Sequence, residues 1–256
     1  MVIPCNILIT GASSGIGAAL AVEYAAAGVT LYILGRDSER LRLVANACRA
    51  KGAEVRSATI DVTDAPAMAA YIEKVDDAQP LDLVIANAGI SSGSFAGVET
   101  TVAAQMVFDV NVQGVLNTIH PILPRMVARG AGQLALMASL ASMRPLPSAP
   151  AYSASKAAVR FYGEALRGLL HKKGVRVNVI CPGWIETPLT SCNDFSMPLM
   201  MSPERAANII ACGLRANKPR IAFPRTLYFP LWLLSCLHHC VSDFIFNRMP
   251  GKAQKI

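Results

Sequence analysis

Charged side chains are scarce in this sequence, and its cysteines form no recognisable pattern. Only 16% of the 256 residues are charged while 53% are hydrophobic, which excludes a disordered chain and favours a large buried core. The seven cysteines are odd in number, scattered and without a C-x-x-C pair, so they favour a reducing compartment. The first ten residues lack the basic segment and cleavable apolar stretch of a secretion signal. We therefore expect a cytoplasmic protein.

Positive charge is also absent as a stripe along the chain, because almost all of its excess lies at one end. The formal net charge is +7, and the last 42 residues hold seven basic side chains against Asp243 alone. A nucleic-acid-binding protein would more often show a recognisable motif or aromatic residues interleaved with the cations, and this sequence has neither. We therefore expect no nucleic-acid partner and look for another role for the tail.

Short apolar runs typical of buried strands alternate with helical patterns through most of the chain. This alternation predicts an α/β fold, a single Rossmann-like doubly wound parallel sheet with helices on both faces. The runs are continuously apolar, as expected for strands buried on both faces, and no linker divides residues 1–225. The predicted strands are Val2–Ile9, Val29–Leu34, Val55–Ile60, Leu81–Ala86, Gly132–Ala138 and Val175–Cys181, and the predicted helices include Gly15–Ala27, Ser38–Lys51, Ala65–Val75, Val102–Arg129 and Ala151–Lys172.

A glycine-rich turn follows the first predicted strand. It lies at the carboxyl ends of the strands, where doubly wound sheets bind their ligands. Glycines let the main chain approach a pyrophosphate, and the next helix offers free N–H groups and the positive end of its dipole. Many plain strand-to-helix turns also contain glycine, so this motif alone leaves nucleotide binding and a structural turn open. The candidate cofactor-binding residues here are Gly11, Ser13, Ser14, Gly15, Ile16 and Gly17.

An arginine follows the second predicted strand. An acidic residue at this place would bind the ribose 2′-hydroxyl of NAD, whereas the guanidinium of Arg36 suits the 2′-phosphate of NADP. Arg40 and Arg42 add positive charge nearby. Alternatively, Arg36 is a solvated loop residue and Asp37 only caps the next helix. The charge pairing favours NADP(H) over NAD(H) as the cofactor.

Three side chains near the fifth predicted strand suggest acid–base chemistry. Ser139 follows that strand, and Tyr152 and Lys156 stand four residues apart, which places them on one face of a helix. A phenol with a pKa of about 10 is a poor base at neutral pH. A neighbouring ammonium would favour the phenolate and make the pair a tunable acid and base. By itself, however, Tyr-x-x-x-Lys is more often a surface pair than a catalytic one.

The combination of motifs over residues 1–225 resembles the short-chain dehydrogenase/reductase family, in its common subgroup of enzymes of about 250 residues. The resemblance implies that Tyr152 exchanges a proton with the substrate oxygen, that Ser139 hydrogen-bonds the carbonyl, and that Lys156 holds the nicotinamide ribose and lowers the tyrosine pKa. The shared motifs, in chain order, are Thr10–Gly17, Asp61 with Val62, Asn87-Ala88-Gly89, Asn111, Ser139, Tyr152 with Lys156, and Pro182-Gly183 with Thr187.

The same resemblance implies roles for the remaining motif residues. Asn111 would support a water-linked proton path to the lysine. Asp61 and Val62 would contact the adenine, and Asn87, Ala88 and Gly89 would line the cofactor cleft. The nicotinamide end would be held by Pro182, Gly183, Ile185 and Thr187. The two helices predicted at 102–129 and 151–172 resemble the surface through which the family forms homodimers.

The substrate end is expected to come from residues 140–151 and from the stretch after Thr187. Residues 188–201 contain three methionines, one acidic residue and no basic residue, which favours a mobile apolar lid over a hydrophobic substrate. Alternatively, this stretch packs on its own protein or on a partner subunit. Arg144 is the one cation nearby, and a single arginine does not decide the substrate class.

Residues 226–256 form a hydrophobic and basic extension beyond the resemblance. The pattern predicts a helix with Pro230 in its first turn, running to about Met249 and carrying one polar stripe. Its apolar face suits a membrane surface, through residues 227–249, as well as it suits a second subunit or the substrate cleft. The uncharged stretch Thr226–Ser242 is shorter than the roughly 20 apolar residues of a membrane span. The cysteines and histidines at 236–240 would point in different directions around a helix, so we expect no metal site.

The sequence therefore predicts an NADP(H)-dependent oxidoreductase that interconverts a carbonyl and an alcohol on an apolar or lipid-like substrate, with Tyr152 as the general acid and base. We expect a homodimer in the cytoplasm, with the tail as a candidate contact to the inner membrane face. An NAD-linked alcohol dehydrogenase and a catalytically silent nucleotide-binding scaffold remain the alternatives.

Overall fold

The computed structural model describes residues 4–91, 99–191 and 197–237, and these residues are arranged around one parallel sheet. Seven strands follow the order β3-β2-β1-β4-β5-β6-β7, and every neighbouring pair is parallel. The strand order reverses between β1 and β4, so the crevice at their carboxyl ends is the position where this class of sheet binds ligands. The strands are β1 Asn6–Thr10, β2 Thr30–Gly35, β3 Glu54–Thr59, β4 Leu83–Ala86, β5 Gly132–Met137, β6 Val175–Pro182 and β7 Arg220–Phe223.

Helices cover both faces of the sheet. Successive strand residues point to opposite sides, and because the residues on both sides are apolar, both faces need to be covered. In β1, Ile7 and Ile9 pack in one buried cluster with Leu20, while Leu8 packs in the other with Met68. The predicted doubly wound fold is thereby confirmed. The helices are α1 Gly15–Tyr24, α2 Ser38–Ala50, α3 Ala65–Ala78, α4 Thr101–Phe108, α5 Gly114–Ile119, α6 Leu123–Arg129, α7 Pro150–Leu170, α8 Pro188–Ser191, α9 Pro203–Arg215 and α10 Arg225–Ser235.

The six predicted strands are all present, with ends that differ by a few residues. Three further elements, α8, α9 and β7, were not predicted, and β7 extends the sheet at the edge beyond β6. β7 begins with an arginine, and Arg220 and Ala222 are only half-buried, so it lacks the continuous apolar run by which the other strands were predicted. The first residues of the strand predicted at 2–9 lie outside the described part of the chain.

The single helix predicted at 102–129 is interrupted twice. A π-helical turn, Asp109–Gln113, joins α4 to α5, and residues 120–122 separate α5 from α6. Pro121 lies at the second interruption, where its missing N–H and its ring disfavour a continuous helix. The one buried residue of the π-helical turn is the polar Asn111, so hydrophobic periodicity alone could not detect this break.

The tail helix also begins earlier than predicted. α10 begins at Arg225, directly after Pro224, and Pro230 lies in its interior rather than in its first turn. The backbone N–H groups of Leu227 and Tyr228 both donate to the carbonyl of Pro224, which fixes this start where the chain leaves β7. α10 ends at Ser235, with Cys236 as its C-cap, so the prediction of an unbroken helix through this point is wrong, and the stretch from residue 238 to Met249 lies outside the described residues. Within the described part of the chain, no helix has both the length and the apolar character that crossing a membrane requires.

Candidate active site

A cavity of about 770 Å³ opens at the carboxyl ends of the strands. The predicted site residues come together there from segments that follow six of the seven strands. Those that line the cavity are Gly11, Ser13, Ser14, Ile16, Arg36, Asp61, Val62, Asn87, Ala88, Gly89, Ser139, Tyr152, Lys156, Pro182, Gly183, Ile185 and Thr187. Gly15, Gly17 and Asn111 are the predicted site residues that do not line it, and they lie directly behind its wall.

The turn after β1 needs its glycines because other main-chain atoms pass very close to it. Gly11 has a φ of +65°, and a side chain there would place Cβ 2.8 Å from Cα of Ala88. A Cβ at Gly17 would lie 2.3 Å from the carbonyl oxygen of Gly11. Ser14 precedes α1 without a side-chain capping bond, so the first N–H groups of that helix are available to an anion. The turn therefore offers the bare main chain that a pyrophosphate needs.

Asn87 and Thr10 join the ends of β1 and β4 at the floor of the cavity. The side-chain nitrogen of Asn87 donates to the carbonyl oxygens of Thr10 at 2.9 Å and of Gly11 at 3.2 Å. The hydroxyl of Thr10 accepts hydrogen bonds from the N–H groups of Asn87 and Ala88. These bonds hold the glycine turn against the segment after β4, so Asn87 shapes the floor of the cavity.

The end of β2 carries two arginines next to two carboxylates. Arg36 lies 3.8 Å from Asp61 and remains largely exposed. Asp37 accepts a hydrogen bond from the N–H of Arg40, which caps α2, and also pairs with the Arg40 side chain at 3.1 Å. Burial opposes ionisation of Asp61, but hydrogen bonds from Thr63 and the charge of Arg36 hold its pKa below the usual value. The capping role considered for Asp37 is confirmed, and both arginines still line the cavity.

Ser139, Tyr152 and Lys156 lie side by side at the other end of the cavity. Tyr152 and Lys156 occupy the first two turns of α7, and the Lys156 Nζ lies 5.8 Å from the tyrosine ring centroid. Lys156 is buried and donates to the carbonyl of Met137 at 2.9 Å. The Ser139 hydroxyl hydrogen-bonds the Tyr152 phenol and accepts from the N–H of Ala141. The predicted catalytic triplet therefore shares one wall.

Burial sets the protonation of this triplet. It raises the pKa of Tyr152 above the usual value, while the hydrogen bond from Ser139 opposes that rise and Cys181 adds to it. Burial lowers the pKa of Lys156 to about 8. The predicted lowering of the tyrosine pKa by the Lys156 ammonium is thus not observed: burial has the largest effect on this pKa, and Lys156 is not among the groups that shift it. At neutral pH the phenol holds its proton and is ready to donate it.

Asn111 stands in the π-helical turn behind the triplet. Its side chain is fully buried, accepts from the N–H of Ile90, and donates to the Ile90 carbonyl at 2.9 Å and to the Ser155 hydroxyl at 3.0 Å. A Cβ at Gly89 would lie 3.1 Å from both the Asn111 Oδ1 and the Lys156 Nζ. Asn111 therefore ties the segment after β4 to α7 next to the lysine, which makes it a positioning residue.

The substrate end of the cavity is mainly apolar, but its wall differs from the prediction. The segment after Ser139 contributes as expected, whereas Met197, Met200 and Met201 do not line the cavity. Met201 is buried in the core and pairs with Ile185 across an isolated bridge. Leu189, Thr190 and Pro198 of the same stretch do line the cavity, so the stretch contributes to the substrate end as predicted, but not through its methionines. Its movement as a lid stays a prediction. Residues 192–196 of that stretch lie outside the described part of the chain.

Three side chains of this wall were missed by the sequence analysis. Trp184 follows β6, and Leu227 and Leu231 project from α10 into the cavity. Leu227 and Leu231 are four residues apart and so lie on one face of their helix, a spacing that was visible in the sequence. The tail was considered a separate extension, although a place over the substrate cleft was one of the alternatives. The first turns of α10 thus belong to the site.

Metal-ligating side chains do not cluster in the described part of the chain. No three residues among His, Cys, Asp and Glu approach one another there closely enough to hold a metal ion. His238, His239 and Cys240 lie outside the described residues.

Comparison with known proteins places this geometry in a family. The family model described as short chain dehydrogenase matches residues 5–194. A relative from Myxococcus xanthus, named an uncharacterized oxidoreductase, is 36% identical over 243 residues, which cover 94% of this chain and 96% of that protein.

Two solved structures have a similar fold. A short-chain dehydrogenase from Sphingobium yanoikuyae in complex with NADPH superposes with a TM-score of 0.80 at 24% identity, over 98% of each chain. One from Mycobacterium paratuberculosis bound to NAD gives a TM-score of 0.75 at 26% identity, over 85% of this chain and 94% of that chain. The chain belongs to the short-chain dehydrogenase/reductase family and is an NAD(P)-dependent oxidoreductase that acts on a CH–OH or carbonyl group.

Proposed function

We propose that this protein is an NADP(H)-dependent reductase of carbonyl compounds that carry an apolar body. One observation carries the proposal: the wall that holds Ser139, Tyr152 and Lys156 is part of the same cavity as the glycine turn. A proton donor and a nucleotide-binding turn then face one enclosed space, as hydride transfer to a carbonyl requires.

The cavity fits a dinucleotide by the chemistry of its lining. The turn at residues 11–17 leaves no room for a side chain at Gly11, Gly15 or Gly17 and presents free N–H groups to a pyrophosphate. Arg36 and Arg40 offer cations for a 2′-phosphate, and the segment from Pro182 to Thr187 forms the wall for the nicotinamide end. When bound, the cofactor supplies the hydride.

The protein's own groups manage the charge that develops on the substrate oxygen. The Tyr152 phenol, protonated at neutral pH, donates its proton to that oxygen. The Ser139 hydroxyl donates a second hydrogen bond, and both groups are held in place before the reaction begins. The Lys156 ammonium adds positive charge to the same wall, where burial strengthens its effect. Reduction is the direction that an NADPH-linked enzyme favours.

The remaining wall of the cavity favours a substrate that is largely apolar. Leu140, Leu146, Leu227 and Leu231 line it, together with Pro147. These groups exclude water and offer a carbon chain a surface without fixed polar geometry. The cavity therefore supports an apolar substrate.

Substitution of the proposed proton donor tests this function. Tyr152→Phe should lower kcat for NADPH oxidation with ketone substrates by at least about 100-fold, because it removes the proton donor and leaves the ring in place. NADPH binding, measured by fluorescence titration, should persist.

A matched control lies on the same helix. Tyr162→Phe removes a phenol that bonds His120 outside the cavity, and its kcat should equal that of the wild type. A Tyr152→Phe enzyme with near-normal kcat would refute the assignment. Binding of NADPH without oxidation, in the wild type and across a panel of ketones, would favour the silent scaffold instead, and equal use of NAD would favour the NAD-linked dehydrogenase.

We also propose a homodimer, formed through the surface of α4 and α7. That surface carries exposed apolar side chains, with Val102 and Met106 on α4 and Phe161 and Leu169 on α7. Monomeric proteins rarely expose so many large apolar side chains together, so a second copy that covers them would stabilise the fold.

A cytoplasmic location remains a proposal, and so does contact of the tail with a membrane surface. α10 turns Leu227 and Leu231 towards the cavity, while Phe229, Trp232 and Leu233 are exposed on its outer side. An outer face of this kind suits the boundary between headgroups and acyl chains.

A further inference from the structure

A buried arginine at the substrate end of the cavity has no partner within residues 4–91, 99–191 and 197–237. Arg144 follows Ser139 by five residues, is only 7% exposed and lines the cavity together with Ser139 and Tyr152. Its guanidinium forms neither an ion pair nor a hydrogen bond with the part of the chain that the structure describes. A buried cation without a partner is costly, and such residues are almost always paired.

Arg144 lines the cavity, and its guanidinium nitrogens are not fully enclosed by the protein. Among the described side chains, Nε of Arg160 is the one fully enclosed nitrogen or oxygen without a hydrogen-bond partner. The Arg144 nitrogens also lack a partner but do not share that complete enclosure, so they retain contact with open space. The space that this buried residue lines is the cavity.

No acidic side chain of the described wall balances this charge. Asp37 pairs with Arg40 and Asp61 faces Arg36, both at the end of β2. The substrate end holds only cations among its charged residues, namely Arg144 and Lys156, and the latter already donates to a main-chain carbonyl. A positive pocket beside an apolar wall is therefore built into the site.

We propose that Arg144 binds a carboxylate of the substrate, so that the preferred substrates are oxo acids whose carbonyl and carboxylate are joined by an apolar chain. This inference rests on the proposed function, because the cavity is taken to hold the substrate of Tyr152. A guanidinium donates two parallel hydrogen bonds to a carboxylate, and a water-poor wall strengthens them. Leu140 and Leu227 then contact the carbon chain.

Binding measurements test the anion site without requiring turnover. In calorimetric titrations of the protein with NADPH added, octanoate should bind at least about 10-fold more tightly than octanol, since a hydrogen bond to a buried charge is worth a factor of about 10 to 100. Arg144→Gln should reduce that preference by a similar factor, and Arg144→Lys should retain part of it. Lys172→Gln, which removes an exposed charge outside the cavity, should leave the preference unchanged.

Three results would overturn the inference: equal binding of octanoate and octanol by the wild type, no binding of either, or an unchanged preference in Arg144→Gln. NADPH titration establishes that each variant is folded. Should Arg144→Gln fail to fold, the affinities of octanoate and octanol for the wild type and for Arg144→Lys still test whether Arg144 binds the carboxylate.

Kinetics separate this inference from the proposed function. With 7-oxooctanoate and its methyl ester as substrates, the wild-type ratio of kcat/KM should favour the acid, and Arg144→Gln should lower that ratio about 10- to 100-fold. NADPH oxidation without preference for the acid would refute the anion site alone. Preferential octanoate binding without oxidation of NADPH by any carbonyl compound would refute the proposed function and leave the anion site standing.

Discussion

The single residue with the clearest bearing on cofactor choice is Arg36. Arg36→Gln should lower kcat/KM for NADPH by roughly 10-fold while kcat/KM for NADH changes little, because only NADPH carries the 2′-phosphate. Steady-state kinetics with both cofactors at one fixed carbonyl substrate give the two values.

Arg42→Gln is the matched control for Arg36. Arg42 lies on α2, pairs there with Glu39 and does not line the cavity. Its removal should leave the ratio between the two cofactors unchanged. A parallel loss for NADPH and NADH in Arg36→Gln would count against the preference for NADP(H).

The lowered pKa of Lys156 predicts a pH dependence. Burial brings this pKa to about 8, so the ammonium is lost as the pH rises above that value. The pH dependence of kcat/KM for NADPH reports the ionisation of groups in the enzyme before it binds the cofactor. This kcat/KM should therefore fall by about a factor of ten per pH unit above the pKa of Lys156. Lys156→Arg keeps its charge throughout this range, so its falling limb should move to higher pH. A profile of the wild type that stays flat to pH 10 would contradict the role of the ammonium.

Individual site residues were predictable to the extent that their chemistry is carried by short motifs. Tyr152, Lys156 and Ser139 stand at fixed spacings after a strand, and the structure brings them to one wall. The burial of Arg144 and the raised pKa of Tyr152 were not predictable, because both depend on residues packed from distant parts of the chain.

Among the elements, α3 and α6 are joined by a buried ion-pair network. Asp76 is 3% exposed and accepts hydrogen bonds from Arg125, from Arg129 and from the N–H of Leu81. Burial opposes its ionisation, but these bonds hold its pKa below the usual value.

Asp76→Asn should therefore lower the free energy of unfolding by about 3 kcal/mol at pH 7, because it leaves two arginines without their shared carboxylate. The stabilisation by Asp76 is present above the pKa of the unfolded chain and is lost as the pH falls through the lower folded value. The difference in the free energy of unfolding between Asp76→Asn and the wild type, measured by urea unfolding, should therefore become smaller in acid.

Asp77→Asn is the control for this network. Asp77 pairs with Arg125 but is largely exposed, so its removal should cost much less. Equal effects of the two substitutions would show that burial does not govern the strength of the network.

At this scale, strands were easier to predict than the breaks within helices. Six of the seven strands were predicted with small errors at their ends, whereas β7, a short strand with half-buried Arg220 and Ala222, was missed. The one buried residue of the π-helical turn at 109–113 is the polar Asn111, and the reason for the turn is tertiary: it brings Asn111 against Ile90 and Ser155. A pattern that records only hydrophobicity cannot contain that information.

For the whole molecule, two exposed apolar surfaces predict two different associations. A Phe161→Glu/Leu169→Glu variant should sediment as a monomer, since charge on α7 prevents burial of that surface, whereas the wild type should sediment with the mass of two chains.

A Phe229→Gln/Trp232→Gln/Leu233→Gln variant should no longer pellet with anionic lipid vesicles, because the outer face of its α10 no longer inserts between the lipids.

Each variant is the control for the other. The α7 variant should still pellet with vesicles, and the α10 variant should still sediment as a dimer. Loss of dimerisation in the α10 variant would assign the tail to the subunit contact instead, and unchanged pelleting would exclude the membrane surface.

The wall formed by Leu227 and Leu231 has a consequence for how selectivity arises in this chain. The match to the family model ends at residue 194, whereas α10 begins at 225, so the catalytic triplet and this part of the pocket lie in different segments of the chain. Changes confined to that final helix could reshape which compounds are accepted without disturbing proton donation. Two proteins with the same triplet and the same glycine turn would then accept different substrates because of a segment that lies outside the family match.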